Sequence, residues 1–258
     1  MTSRVLYIAA NTFREAVRDR VLYNLIAFAL LMSAAAVLVG TISINIERLV
    51  VINLGLTTVS LFGMVIAILI GIGLVSKEIE KRTLYTVLSR PVRRWEFIAG
   101  KFFGLSGTLV VNTFCMAVGV FLSLLYVSHR FESGDRTVLI ALYFIVLQLF
   151  IITALALLFS SFSSPLLSAL FAFSLFVIGS FAEDLRGFAK MAHGIAGWLA
   201  SAAAYLVPNF SALNVINQAA HGQHVVFRLI AYNTAYALVY SVAALSGAVL
   251  IFERRNLK

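Results

Sequence analysis

The segment 76-SKEIEKRTLYTVLSRPVRRWEFIAGK-101 decides the fold. It is a charged, helix-prone island between two long apolar runs. Seven of the chain's 20 Lys and Arg residues fall within it: Lys77, Lys81, Arg82, Arg90, Arg93, Arg94 and Lys101, with Glu78, Glu80 and Glu96 interspersed. Arg or Lys at the centre of a bilayer costs about 3 kcal/mol each, so this stretch lies in water. Its positive excess assigns it to the cytoplasmic side. A short helix of mixed sign held between two spans is suited to docking a soluble partner.

The rest of the chain explains why the island stands out. Hydrophobic residues make up 61% of the 258 and charged residues 12%, and the mean hydropathy is +0.98. A soluble domain is nearer half apolar and a quarter charged, so the composition is that of a polytopic, all-α membrane protein. The net charge of +9 would point to nucleic acid in a soluble protein. Here the basic residues cluster at one set of membrane ends, and no nucleic-acid partner is expected. The single cysteine, Cys115, falls within an apolar run and excludes an internal disulfide. Arg4, Arg14, Glu15, Arg18, Asp19 and Arg20 precede the first apolar run, which is not the pattern of a cleavable signal.

Six segments are apolar and long enough to cross a bilayer: Val21–Ile44, Leu49–Val75, Phe102–Ser128, Thr137–Ser160, Pro165–Ala182 and Leu229–Phe252. With both termini inside, the inner side carries fourteen Lys and Arg and the outer side six, which are Arg48, Arg130, Arg136, Arg186, Lys190 and Arg228. The segment 183–228 is then an outer loop. Within it Phe188, Met191, Ile195, Trp198, Ala202 and Tyr205 recur at helical spacing, which predicts a re-entrant or interfacial helix over Phe188–Val207 ended by Pro208. An ordinary seventh span is the alternative there, and it would move the tail to the other side. Residues 3–20 predict an amphipathic helix along the inner surface. Val5, Ala9, Phe13 and Ala16 form its apolar side, Asn11, Arg14, Glu15 and Arg18 its polar side, and Ser3 is a candidate N-cap. The alternative is a plain basic flank that sets orientation. No repeat or flexible linker divides the chain, so 1–258 is read as one domain.

Fuel-handling chemistry is missing. No predicted span carries an ionisable residue near its middle, which disfavours an ion-coupled carrier. The polar residues Asn53, Asn112, Gln148 and Asn233 suit hydrogen bonds between helices. Gly100-Lys101 would have to close a phosphate loop, but Trp95 replaces its first glycine and Phe102 its Ser or Thr. Neither a His-Glu-x-x-His nor a Gly-x-Ser-x-Gly motif occurs, so an intramembrane enzyme is also disfavoured and no catalytic residue is assigned. His221 and His224 are the only metal-ligand candidates, with His193 and Met191 as helpers, and nothing carboxylate- or thiolate-bearing supports them. Gly100, Gly104 and Gly107 fit a small-residue pattern that allows two helices to approach closely.

Within the island, Glu78 and Arg82 are placed four apart in the favourable order on a helix from Ser76 to Ser89. Ile79, Leu84, Val87 and Leu88 give that helix apolar surface. Pro91 forces a turn at Ser89-Arg90-Pro91, and Arg93, Arg94, Trp95 and Phe97 open a second segment leading to Lys101. Glu78, Leu88, Ser89, Pro91, Val92, Arg94, Gly100 and Lys101 in this order resemble the ABC-2 type permeases of ATP-binding cassette transporters, most of all the branch that serves maturation of multicopper enzymes and nitrous-oxide reductase. The Leu206-Val-Pro-Asn209 stretch and the Phe252-x-Arg-Arg255 tail are also similar to that family.

The resemblance implies an export permease of a prokaryotic cytoplasmic (inner) membrane with six spans and a coupling-helix hairpin between spans two and three. Two permease copies, identical or different, would pair with two separate ABC ATPase subunits, and ATP and Mg would bind there, not on this chain. The coupling residues implied are Glu78, Glu80, Arg82, Leu84, Leu88, Ser89, Arg90, Pro91, Arg93 and Arg94. Phe13, Arg14 and Arg18 belong to the interfacial helix as a second lever. The alternative on the same scaffold is a subunit that transports nothing and relays ATP-driven motion to a periplasmic or membrane partner. Substrate identity is not legible.

Overall fold

The two longest helices flank the charged island. In the computed structural model, which describes residues 2–42, 46–80, 93–128, 134–191, 197–198, 201 and 207–254, α3 (Glu47–Glu80) has 34 residues and α4 (Arg94–Ser128) has 35. At about 1.5 Å per residue each reaches about 50 Å, well beyond a hydrocarbon core of about 30 Å. α3 runs without a break through Glu78 to Glu80, so the start of the predicted polar helix is a continuation of the span. Arg82, Leu84, Leu88, Ser89, Arg90 and Pro91 lie outside the described residues. The end of the molecule that carries this segment is called the hairpin end here, and the opposite one the strap end.

Around these two pack α1 (Thr2–Val17), α2 (Arg20–Ile42), α5 (Asp135–Ser160), α6 (Pro165–Ser180), α7 (Ala182–Met191), the short α8 (Ile216–Ala220) and α9 (Phe227–Arg254). Every regular element among the described residues is helical. α5 is the central post and touches α3, α4, α6, α8 and α9. It is apolar all round, the mark of a helix enclosed by others, and 72% of its most apolar stretch is buried, against 28% for α9. Leu149, Ile151 and Ala154 on α5 are fully enclosed. Gln148 on α5 donates to Ser60 Oγ on α3 at 3.1 Å, the interhelical role expected of it. The Asn112 amide nitrogen is buried on α4 with no hydrogen-bond partner.

Among the described residues four helices are long and apolar enough to cross a membrane: the Glu47–Gly73 part of α3, α4, α5 and the Phe227–Phe252 part of α9. The predicted span Pro165–Ala182 is interrupted. α6 ends at Ser180, and α7 leaves it at 63°; the pair makes a fifth span only if the two are counted together. The break has a local cause. Glu183 and Asp184 stand in the first turn of α7, where acidic groups favour a new helix start. Pro165 opens α6 at a position that needs no amide hydrogen. α2 holds a shorter apolar stretch, Leu25–Gly40.

Most of the predicted helix over Phe188–Val207 lies outside the described residues; Phe188 and Met191 belong to α7. After Pro208 the chain forms a strap of a short 3-10 turn, Ser211–Leu213, and α8. The strap is pinned at several points. The Phe210 amide donates to Gly179 O at 3.0 Å, and the Phe210 ring lies 5.6 Å from that of Phe176. The Asn209 amide donates to Tyr236 Oη at 2.8 Å, while Asn209 Oδ1 accepts from Ser211 Oγ at 2.6 Å and Ala212 N at 3.2 Å. Asn233 on α9 donates to Ala212 O at 2.7 Å. At the same end Arg48 on α3 forms a salt bridge with Asp135 on α5 and donates to Ser128 Oγ on α4 at 3.1 Å.

Candidate coupling site

The chain re-emerges from the undescribed segment at Arg93, and the next residues fix the start of α4. Glu96 reaches back so that its Oε2 accepts the Arg93 amide at 2.9 Å, while the Glu96 and Phe97 amides donate to Arg93 O at 3.0 and 3.2 Å. A third-position carboxylate bonding the cap residue's amide is half of a capping box, and its charge also favours a helix N-terminus. Glu96 is only 1% exposed and Lys101 only 2%. Both were expected at a wet or interfacial hairpin. The packing of α1 and α9 around the start of α4 encloses them instead. Lys101 Nζ sits 5.7 Å from the centre of the Phe97 ring. Trp95 beside them is 39% exposed.

Arg93 is exposed, whereas Arg94 turns inward. Its Nη1 donates to Phe252 O near the end of α9, and the guanidinium lies 5.7 Å from the centre of the Phe252 ring. The last carbonyls of a helix have no partner within it, and a cation there also complements the helix dipole. Arg94 therefore caps α9 from the start of α4. A charge-assisted hydrogen bond of this kind contributes about 1.5–3 kcal/mol and the cation–π contact about 0.5–1 kcal/mol. Phe97 stacks on the other side of the joint, its ring 6.1 Å from that of Phe252 and tilted by 12°. With Ile98 and Ala248 these rings form an apolar cluster separate from the main core.

The opposite flank of α4 receives α1. A Cβ on Gly100 would lie 2.6 Å from Ile8 Cγ2, and one on Gly104 would lie 2.5 Å from Ala9 O and 2.7 Å from Thr12 Cβ. Real side chains do not approach so closely, so only glycine admits α1 at these two positions. Gly107 continues the groove under the Phe13 ring. Thr12 and Ala16 are buried, and Arg14 and Arg18 are exposed. A helix is present where the amphipathic one was predicted, and the side that carries Ile8, Ala9, Thr12 and Phe13 is seated in the glycine groove, while Leu6 and Tyr7 are exposed. The glycine spacing was legible in the sequence. Its partner was not, because nothing local says which helix fills a groove.

The hairpin end thus joins three elements at one place: α1 through glycines, α4 through its cap, and α9 through Arg94 and Phe252. A family model described as ABC-2 family transporter protein matches residues 6–257. The chain belongs to that family. No curated protein matches it. For an ABC-2 family member, a multi-pass membrane permease component of an ABC transporter, the island bracketed by α3 and α4 is the place to look for contact with the ATPase. Of the predicted coupling residues, Glu78 and Glu80 lie at the end of α3, Arg93 is exposed just before α4, and Arg94 is engaged within the chain. Phe252 was read only as part of the tail; its role as the partner of Arg94 depends on tertiary packing.

The metal candidates do not assemble. His221 Nδ1 is hydrogen-bonded to Asn217 O at 2.9 Å. His224 lines an open cavity of about 450 Å³ with Gln218, Arg228, Leu229 and Tyr232. Among the described residues no three His, Cys, Asp or Glu side chains converge on a common point.

Proposed function

We propose that this chain is the permease subunit of an ABC exporter of the prokaryotic inner membrane, working as a dimer and driven by separate ATPase subunits that grip the segment 78–94. The observation that carries this reading is the pair of helices of about 50 Å, each longer than a hydrocarbon core is thick, that flank the charged island in sequence. ATP and Mg bind on the partner, and this chain supplies mechanical coupling. α2 and the bent α6–α7 pair each cross once, giving six spans with both termini in the cytoplasm. The similarity to the multicopper-enzyme and nitrous-oxide reductase maturation branch rests on Glu78, Leu88, Ser89, Pro91, Arg94, Gly100 and Lys101. A rigid helix pushed at one end displaces the elements packed on it, and closely packed bundles respond by switching between discrete arrangements.

The test is co-purification with the ATPase from native membranes. Charge reversal of Glu78 (Glu78→Lys), or truncation of Leu84 and Leu88 to Ala, abolishes co-purification while leaving membrane insertion intact. Undiminished ATPase capture by a chain with 78–89 rewritten would defeat the docking assignment. Sidedness is checked by Gly222→Cys in a Cys115→Ser background, which an impermeant thiol reagent labels from outside intact cells. Labelling only in inverted vesicles would reverse the topology.

A further inference from the structure

We infer that the Arg94–Phe252 joint is the point at which movement of the ATPase-gripped segment is handed to α9 and, through α9, to the strap at 207–226. The inference rests on the permease reading above and adds a route and its positioning residues.

Three features single this joint out. It lies in the first turn of α4, next to the docking segment in sequence, so Arg94 moves with whatever moves Arg93. It holds α9 at two points, because the carbonyl of Phe252 is bonded and its ring is in contact with both Arg94 and Phe97. The element it holds has few enclosed residues, 28% of its most apolar stretch against 72% for α5, and elements with few enclosed apolar contacts rearrange at the lowest cost. At its far end α9 is bonded to the strap through Tyr236 and Asn233. A helix of 28 residues, about 42 Å long, then links a bonded contact at the hairpin end to bonded contacts at the strap end. Intermediate position alone does not establish coupling, so the experiment perturbs the joint and reads the far end.

Hydrogen exchange, followed by mass spectrometry on the permease–ATPase complex in nanodiscs, reads both ends at once. In the wild-type complex, bound ATPase protects 81–92, and a slowly hydrolysed ATP analogue changes exchange across 207–226. Phe252→Ala removes the ring and keeps the backbone carbonyl. It retains the protection of 81–92 and loses the nucleotide-dependent change in the strap. Arg94→Lys retains a charged donor without the planar group and keeps part of that change. An unaltered strap response in Phe252→Ala overturns the inference, as does a wild-type complex that hydrolyses ATP with no strap response. Absence of protection at 81–92 in the wild type defeats the permease docking reading itself, and this inference with it.

Discussion

The two ends of the bundle are held by different chemistry. At the strap end Arg48 ties α3 to Asp135 and Ser128, the Asn209 backbone amide and Asn233 tie the strap to α9, and Phe210 packs on Phe176 over Gly179. At the hairpin end α1 is seated by close backbone approach at Gly100 and Gly104, and α9 by a cation and two stacked rings. Directional bonds at fixed distances resist sliding. At the hairpin end the glycine groove holds α1 by shape at close range, and the Arg94 cap on α9 adds a directional bond of its own. The strap end therefore rests on a salt bridge between helices, whereas the hairpin end rests on a cation that caps a helix.

Substitutions at both ends can break or sharpen that contrast. The largest effect is expected from Gly104→Val, which drives branched carbons into Ala9 O and Thr12 and must displace α1; overpacking of this kind costs about 1–3 kcal/mol or somewhat more. A cysteine at Thr12, buried in the parent, becomes reactive to a thiol reagent in the Gly104→Val chain and stays protected otherwise. Arg48→Met comes next. It leaves Asp135 without its cation at a partly enclosed site, and a loss of about 2 kcal/mol is expected, below the range for fully buried pairs. Thermal unfolding in detergent measures it, and Arg48→Met combined with Asp135→Asn should recover part of the loss. If the double variant is no more stable than the single one, Arg48 and Asp135 are not a coupled pair.

Asn209→Ala removes two accepted hydrogen bonds and should cost about 1–2 kcal/mol, with faster hydrogen exchange confined to 207–215. Spread of that change to α1 would contradict the separation of the two ends. The smallest effect is expected from Glu96→Gln, which keeps a cap acceptor and loses the charge, costing about 0.5–1 kcal/mol. Glu96→Ala, which loses the acceptor too, should be the less stable of the two.

Much of this was legible in the chain before any coordinates. The apolar runs, the charged island, the amphipathic stripe through Val5, Ala9 and Ala16, and the glycine spacing are periodic or compositional signals that a linear string preserves. The end of this apolar run was legible to within two residues, Ala182 against Ser180, but the 63° turn into α7 was not, because composition carries no sign of the direction a following helix takes. Glu96 and Lys101 looked like solvated hairpin charges, because burial by helices distant in sequence leaves no local trace.

By itself, then, the sequence determined that this is a helical membrane protein with a wet, basic segment between two long spans, because the cost of placing charge in hydrocarbon acts residue by residue. Only the tertiary structure decided that α1 fills the Gly100–Gly104 groove, that Arg94 caps α9 at Phe252 across 158 positions of chain, and that α5 is the enclosed post. Those pairings depend on shape and on which surfaces remain uncovered once the other helices are in place, and that information belongs to the packed bundle and to no single segment.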